Sequence, residues 1–171
     1  MRMKSHLDMK RFCLLSALLL TGASLAPRVY RNDAMKVRAF DPPEGWLVAP
    51  QASYPKVLAL YTHDSGARLT LTAQKVAAGV TGESLAESSR ATLEREGFRD
   101  IALSPGRIDA ALSDGKRFLK QIYLVQSGFG YVVSLVGPKA PAARATRLVQ
   151  DFDDAVHSLQ LEPETAPVPS R

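Results

Sequence analysis

Imidazoles are scarce in this chain: its three histidines are His6, His63 and His157, and its one cysteine is Cys13. Any nucleophilic or metal chemistry has to be built around these few positions. The segment His63-Asp64-Ser65-Gly66 sets the residue types of a hydrolytic triad side by side. A working triad needs a run of hydrogen bonds from acid to base to nucleophile, and neighbours on a tight turn point in different directions. Asp, Ser and Gly are also ordinary turn formers, so the segment is expected to be a hairpin turn, and a hydrolase ranks last among the functional readings. His157 follows Asp153 by four residues and Asp154 by three. On a helix that spacing can present an imidazole and a carboxylate to one metal, but two ligands do not complete a site. In a C-terminal turn the imidazole is accounted for by the helix dipole.

Other candidate motifs are weaker. Residues 79–84, GVTGES, look like an anion cradle at a helix start, yet lack the lysine and the glycine spacing of a phosphate loop. Residues 127–130, SGFG, read as a turn. The carboxylate pairs Glu94 with Glu96 and Asp151 with Asp153 fall on helix faces expected to be exposed. Tyr54, Tyr61, Tyr123 and Tyr131 are spread out, without the basic interleaving of a nucleic-acid platform. No catalytic, cofactor-binding or metal-binding residue is assigned, and the expected class is non-enzymatic, without cofactor and without nucleic acid.

The elements that would position any site begin after an export signal. Arg2, Lys4, Lys10 and Arg11 precede an apolar run, FCLLSALLLTGASLA over 12–26, that ends in small residues. The run is shorter than the roughly 20 residues of a spanning helix. Residues 1–23 are therefore expected to be a signal peptide cut after Ala23, giving a periplasmic or secreted protein. The alternative is an uncleaved inner-membrane anchor. Cys13 lies before the leucine run, not at its end, which argues against a lipoprotein, and the mature chain holds no cysteine for a disulfide. The net charge of +5 includes +3 from residues 1–23, which leaves +2 for the mature chain. Much of the basic character sits in an arm holding Arg28, Arg31, Lys36 and Arg38, with residues 24–34 expected to be a linker. At 171 residues, 46% of them hydrophobic, the chain has room for one domain with one core.

That domain is expected over 35–162, followed by a proline-rich tail over 163–171. MKVRAF (35–40) alternates like an edge strand and is stopped by Pro42 and Pro43. Glu44-Gly45 then allows a turn that drives Trp46 inward, where Trp46 and Leu47 would form a plug. KVLALYTH (56–63) and ARLTLTAQKV (67–76) read as a hairpin, the second strand with Leu69, Leu71 and Ala73 inward and Thr70, Thr72 and Gln74 outward. Thr81 is the expected N-cap of a helix that runs to Gly97. Its inner side, Leu85, Ser89, Thr92 and Leu93, is small and polar, which predicts close packing and modest burial. Strands follow at 98–104 and, after a Pro105-Gly106 turn, at 107–112, either separate or merged into one, and then at 117–126 and 131–137. The last two carry apolar residues in both registers and should be central, and the short turns make the pairing antiparallel. Residues 142–159 place Ala145, Leu148, Val149, Phe152, Ala155, Val156 and Leu159 on one helical face.

Phe40, Pro43, Gly45 and Trp46 at the start, with Phe152, Ser158 and Leu159 at the end, resemble the opening and closing motifs of the PsbP/DcrB-like group of small exported or lumenal proteins. The resemblance implies an α+β fold: an antiparallel sheet of about six strands with helices on its faces, an α-β-α sandwich. It also implies an accessory or binding role, and it brings no catalytic residues. The sequence reading is thus an exported, non-enzymatic domain that binds a protein partner of the cell envelope through Arg28, Arg31, Lys36, Arg38 and the Trp46 loop, with at most peripheral membrane contact. The alternative is a carrier of a small ligand or lipid, which a polar-lined cavity beneath helix 83–96 would favour and a filled core would not.

Overall fold

Two strands with apolar residues in both registers, 117–126 and 131–137, can be buried only if both of their faces are covered, and the whole fold is arranged around that need. The computed structural model describes residues 29–49, 56–112, 115–139 and 141–163. The expected signal peptide, Arg28, the loop from Pro50 to Pro55 and the tail after residue 163 lie outside the described residues.

The chain order is β1 (Tyr30–Asn32), a 3-10 turn (Asp33–Met35), β2 (Val37–Phe40), β3 (Leu47–Val48), β4 (Val57–Thr62), β5 (Arg68–Lys75), α1 (Gly82–Arg95), β6 (Phe98–Ser104), β7 (Arg107–Leu112), β8 (Arg117–Gln126), β9 (Phe129–Pro138), α2 (Ala142–Ser158) and β10 (Gln160–Leu161). The main sheet has seven strands in the order β3-β4-β5-β9-β8-β7-β6, and the pairings described are antiparallel. β8 and β9 are interior, as their sequence requires. Their hairpin turns on Ser127 and Gly128, both at positive φ (52° and 77°), the geometry whose twist matches that of antiparallel strands.

One alternative is settled and three expectations change. Residues 98–112 do not merge into one strand but form a hairpin, because Pro105 and Gly106 make a two-residue turn and bring Ser104 opposite Arg107. β2 is no edge strand: it is the middle of a second, three-stranded sheet, β1-β2-β10. Part of the segment read as a basic linker belongs to that sheet, since Tyr30 pairs with Phe40 and Asn32 with Val37. Leu47 is not part of a plug, because it is 62% exposed.

Burial divides into two layers. On one face of the main sheet Tyr61, Leu69, Leu71, Tyr131, Val133 and Leu135 pack with Leu148, Phe152 and Ala155 of α2 and with Val37 and Phe40 of the small sheet. Each large apolar side chain taken fully out of water contributes about 1.5–3 kcal/mol. On the other face Ile108, Ala110, Leu119 and Tyr123 pack against Ala86 and Leu93 of α1. The result is an α-β-α sandwich. The small sheet is tied down by the Tyr131 hydroxyl, which donates to Met35 O at 2.9 Å, and by Gln126 Nε2, which donates to Glu162 O at 2.6 Å.

The opening and closing motifs meet. Ser158 Oγ accepts from Asp41 N at 2.9 Å and donates to Ala155 O at 2.7 Å. Gly45, at φ +91°, makes the turn that sends Trp46 into the core, where it is 3% exposed. Its indole N–H donates to Asp151 Oδ2 at 3.1 Å, across 105 residues of chain.

Candidate functional site

Helix α1 covers only part of its face of the sheet: it lies over β6, β7 and β8. Its N-terminus is seated tightly. A Cβ at Gly82 would stand 2.4 Å from Tyr123 O, and one at Gly130 would stand 2.7 Å from Leu85 Cδ1. The capping box between Thr81 and Ser84 fixes where the helix begins. Past Leu85, and before Leu93 is buried again, the side chains that overhang the strands shorten to Ser88, Ser89 and Thr92, of which Ser89 alone approaches a strand side chain, that of Tyr123. Between them and the strands lies a groove of about 570 Å3. The expectation of close packing along the whole helix therefore fails in its middle, for want of side-chain length.

The floor of the groove comes from the strand positions that the alternation pattern turns away from the α2 core: Thr72 and Gln74 of β5, Ser134 of β9, and Gln121 and Tyr123 of β8. Register lines them up, with Thr72 opposite Val132 and Val132 opposite Tyr123, and with Thr70 opposite Ser134 and Ser134 opposite Gln121. The Tyr123 hydroxyl donates to Gln121 Oε1 at 2.6 Å, and Gln121 Nε2 donates to Ser134 Oγ at 3.0 Å. With an oxygen lone pair so engaged, the Ser134 hydroxyl keeps its own hydrogen to offer. Across the groove Ser88 and Ser89 donate to Leu85 O at 2.9 and 2.8 Å, so both retain lone pairs for accepting. Burial pushes the Tyr123 phenol above its ordinary value of 10.0; the neighbouring Ser89 hydroxyl opposes this in part, and the Glu96 charge adds to it. The phenol therefore stays protonated at neutral pH and the relay keeps its direction. Among the described residues Lys56 and Glu96 are the only charged residues of the lining. Such a surface offers neutral hydrogen bonds of both senses.

The residues singled out in the sequence fall elsewhere. His63 and Ser65 do meet, Nδ1 to Oγ at 2.9 Å, contrary to the expectation that turn neighbours diverge. The contact is internal to the turn: Ser65 N donates to the same Nδ1 at 3.1 Å, and Ala67 N donates to Ser65 Oγ at 3.3 Å. Asp64 is exposed and completes no acid–base–nucleophile chain. His157 is exposed, Asp153 stands 3.9 Å from Arg107, and among the described residues no group of three His, Cys, Asp or Glu side chains is placed to hold a metal. Gly82 in GVTGES is used for close approach to β8. Asp151, read as exposed, is buried beneath Trp46.

Of the expected partner surface, Arg31 and Arg38 are exposed, whereas Lys36 is ion-paired with Glu162 at 2.9 Å. Trp46 has to be withdrawn from that surface, because its ring is in the core and its N–H is satisfied there. The apolar groups that its loop shows to solvent are Leu47 and Val48, 62% and 45% exposed. The groove itself was half visible in the sequence, as the small polar inner side of α1 and the outward Thr70, Thr72 and Gln74.

No protein-family model matches the chain, and no curated protein sequence matches it. Solved structures do. The cyanobacterial PsbP (CyanoP) of Synechocystis sp. PCC 6803 superposes with a TM-score of 0.52 at 12% identity, over 81% of this chain and 95% of that one. A single-residue variant of protein Mog1 superposes with a TM-score of 0.56 at 10% identity, over 81% of this chain and 97% of that one. LpqN of Mycobacterium tuberculosis, described as involved in cell envelope biogenesis, gives 0.48 at 14% identity over 72% and 82%, a likeness too low to bear on the argument. At these identities the first two establish the fold, a PsbP/Mog1-like α-β-α sandwich, in agreement with the resemblance drawn from Phe40, Pro43, Gly45, Trp46, Phe152, Ser158 and Leu159.

Proposed function

We propose that this chain, PsbP/Mog1-like in fold, is an exported, non-enzymatic binding domain of the cell envelope, and that its site is the groove beneath α1. The single observation that supports this reading is the lining: hydroxyls and amides dominate it, three of them are oriented by the Tyr123–Gln121–Ser134 relay, and the volume of about 570 Å3 is that of a ligand site. Small hydroxyl side chains donate and accept alike, which suits a neutral polyhydroxy ligand, an oligosaccharide by class. Residues 1–23 carry the export reading, and no helix among the described residues is long and apolar enough to cross a membrane.

An envelope protein partner is the second reading, favoured by the exposed Leu47 and Val48 and by Arg31 and Arg38. The two readings separate by calorimetry. Titration with neutral malto-, cello- and chito-oligosaccharides should show saturable binding of at least one class, abolished in Thr92→Trp, which fills the groove from an exposed helix position. Heat that is absent for all three, or unchanged in that variant, contradicts the groove reading and leaves the partner reading in front.

A further inference from the structure

A second depression, of about 530 Å3, lies on the opposite layer, between the start of α2 and the turn that holds His63. Its walls are mostly apolar, with Gly45 and Ala143 at the surface and Leu148 only 1% exposed, and its cations are Arg144 and Arg147. Three residues apart, the two arginines share one side of the helix. Among the described residues neither forms an ion pair. Glu44, at the same cleft, is exposed and, among the described residues, joins no ion pair either. No acidic residue stands in the first turn of α2.

His63 adds a directed donor. Its Nδ1 accepts the Ser65 N–H, so the neutral ring carries its hydrogen on Nε2, the nitrogen that faces Gly45 at the cleft. Gly45, at φ +91°, makes the turn that borders the ring: a Cβ there would stand in ordinary contact, 3.8 Å from Nε2. The ring lies against Trp46, centroids 5.3 Å apart, and Trp46 is held from behind by Asp151.

We infer that this cleft binds the carboxylate head of a free acyl chain, with Arg144, Arg147 and the His63 N–H around the oxyanion and the apolar wall along the chain. Two fork-shaped cations and one imidazole donor match a carboxylate, and the apolar lining asks for more than a bare anion. The inference is independent of the groove.

The readout is built in, because Trp46 is the only tryptophan and touches the wall of the cleft. The full chain is titrated with monomeric decanoate, decanol or inorganic phosphate while Trp46 fluorescence is followed. Decanoate should give a saturable change, with decanol and phosphate each at least tenfold weaker. Arg144→Gln/Arg147→Gln should weaken decanoate at least tenfold. Both arginines are exposed, so the fold should persist, as far-UV circular dichroism can verify. Ala143→Phe, filling the cleft from an exposed position, should abolish the change. A response to phosphate equal to that to decanoate, an unchanged response in both variants, or a response only to anionic phosphatidylglycerol vesicles overturns the proposal.

Discussion

Trp46 and Asp151 offer the sharpest test of how the opening motif is locked. The indole N–H and the carboxylate are 3.1 Å apart, and the two residues are 3% and 7% exposed. A hydrogen bond to a charged group contributes about 1.5–3 kcal/mol net, and a buried polar group left without a partner costs about 1–3 kcal/mol. Trp46→Phe removes the donor, strands the carboxylate in the core and shrinks the ring, for an expected loss of about 3–4 kcal/mol. Asp151→Ala strands the indole N–H instead, at about 1–3 kcal/mol. The double variant leaves neither group unsatisfied, so it should be more stable than the sum of the singles predicts, with a coupling of about 1.5–3 kcal/mol. Urea unfolding followed by far-UV circular dichroism is the assay, because the substitution removes the fluorophore. Additivity within about 0.5 kcal/mol would refute the idea that this bond anchors the motif.

Three further outcomes are expected. Because burial raises the Tyr123 phenol above 10.0, the folded state holds that proton more tightly. The associated stability is complete below pH 10 and is lost as the pH rises through the folded value; Tyr131, also raised by burial, acts in the same direction. The urea midpoint should therefore fall with rising alkalinity, and fall less steeply in Tyr123→Phe. Gly82→Ala puts a methyl 2.4 Å from a backbone oxygen of β8, so despite alanine's better helix propensity it should cost about 1–3 kcal/mol in the same unfolding assay. Tyr131→Phe leaves Met35 O without its donor, and amide hydrogen exchange should quicken in β2 before it does in β5.

The sequence disclosed what depends on near neighbours and concealed what depends on distant ones. The Thr81 cap, the two helices, the 68–75 strand and the Ser127-Gly128 turn follow from periodicity and turn chemistry within a few residues, and all stand in the structure. β1 was hidden because Arg31 and Asp33 gave the segment a linker's polarity, while its partner strand is short and closed by β10 from the far end of the chain. Asp151 looked like a solvated helix residue because nothing near it in sequence announces Trp46. Whether a cavity lies beneath helix 83–96 or the core is filled there stays open in the sequence for a different reason. Alternation tells which way Thr72 and Gln74 face, but whether Ser88, Ser89 and Thr92 reach them depends on where Gly82 seats the helix, a distance no local pattern encodes.

The most direct measurement of the central claim is an amide NMR titration of the full chain with the oligosaccharide class that binds best. The account predicts saturable shifts centred on Thr72, Gln74, Ser89, Thr92, Gln121 and Ser134, absent in Thr92→Trp. Shifts centred instead on Leu47, Val48, Arg31 and Arg38, or none at all, would contradict it.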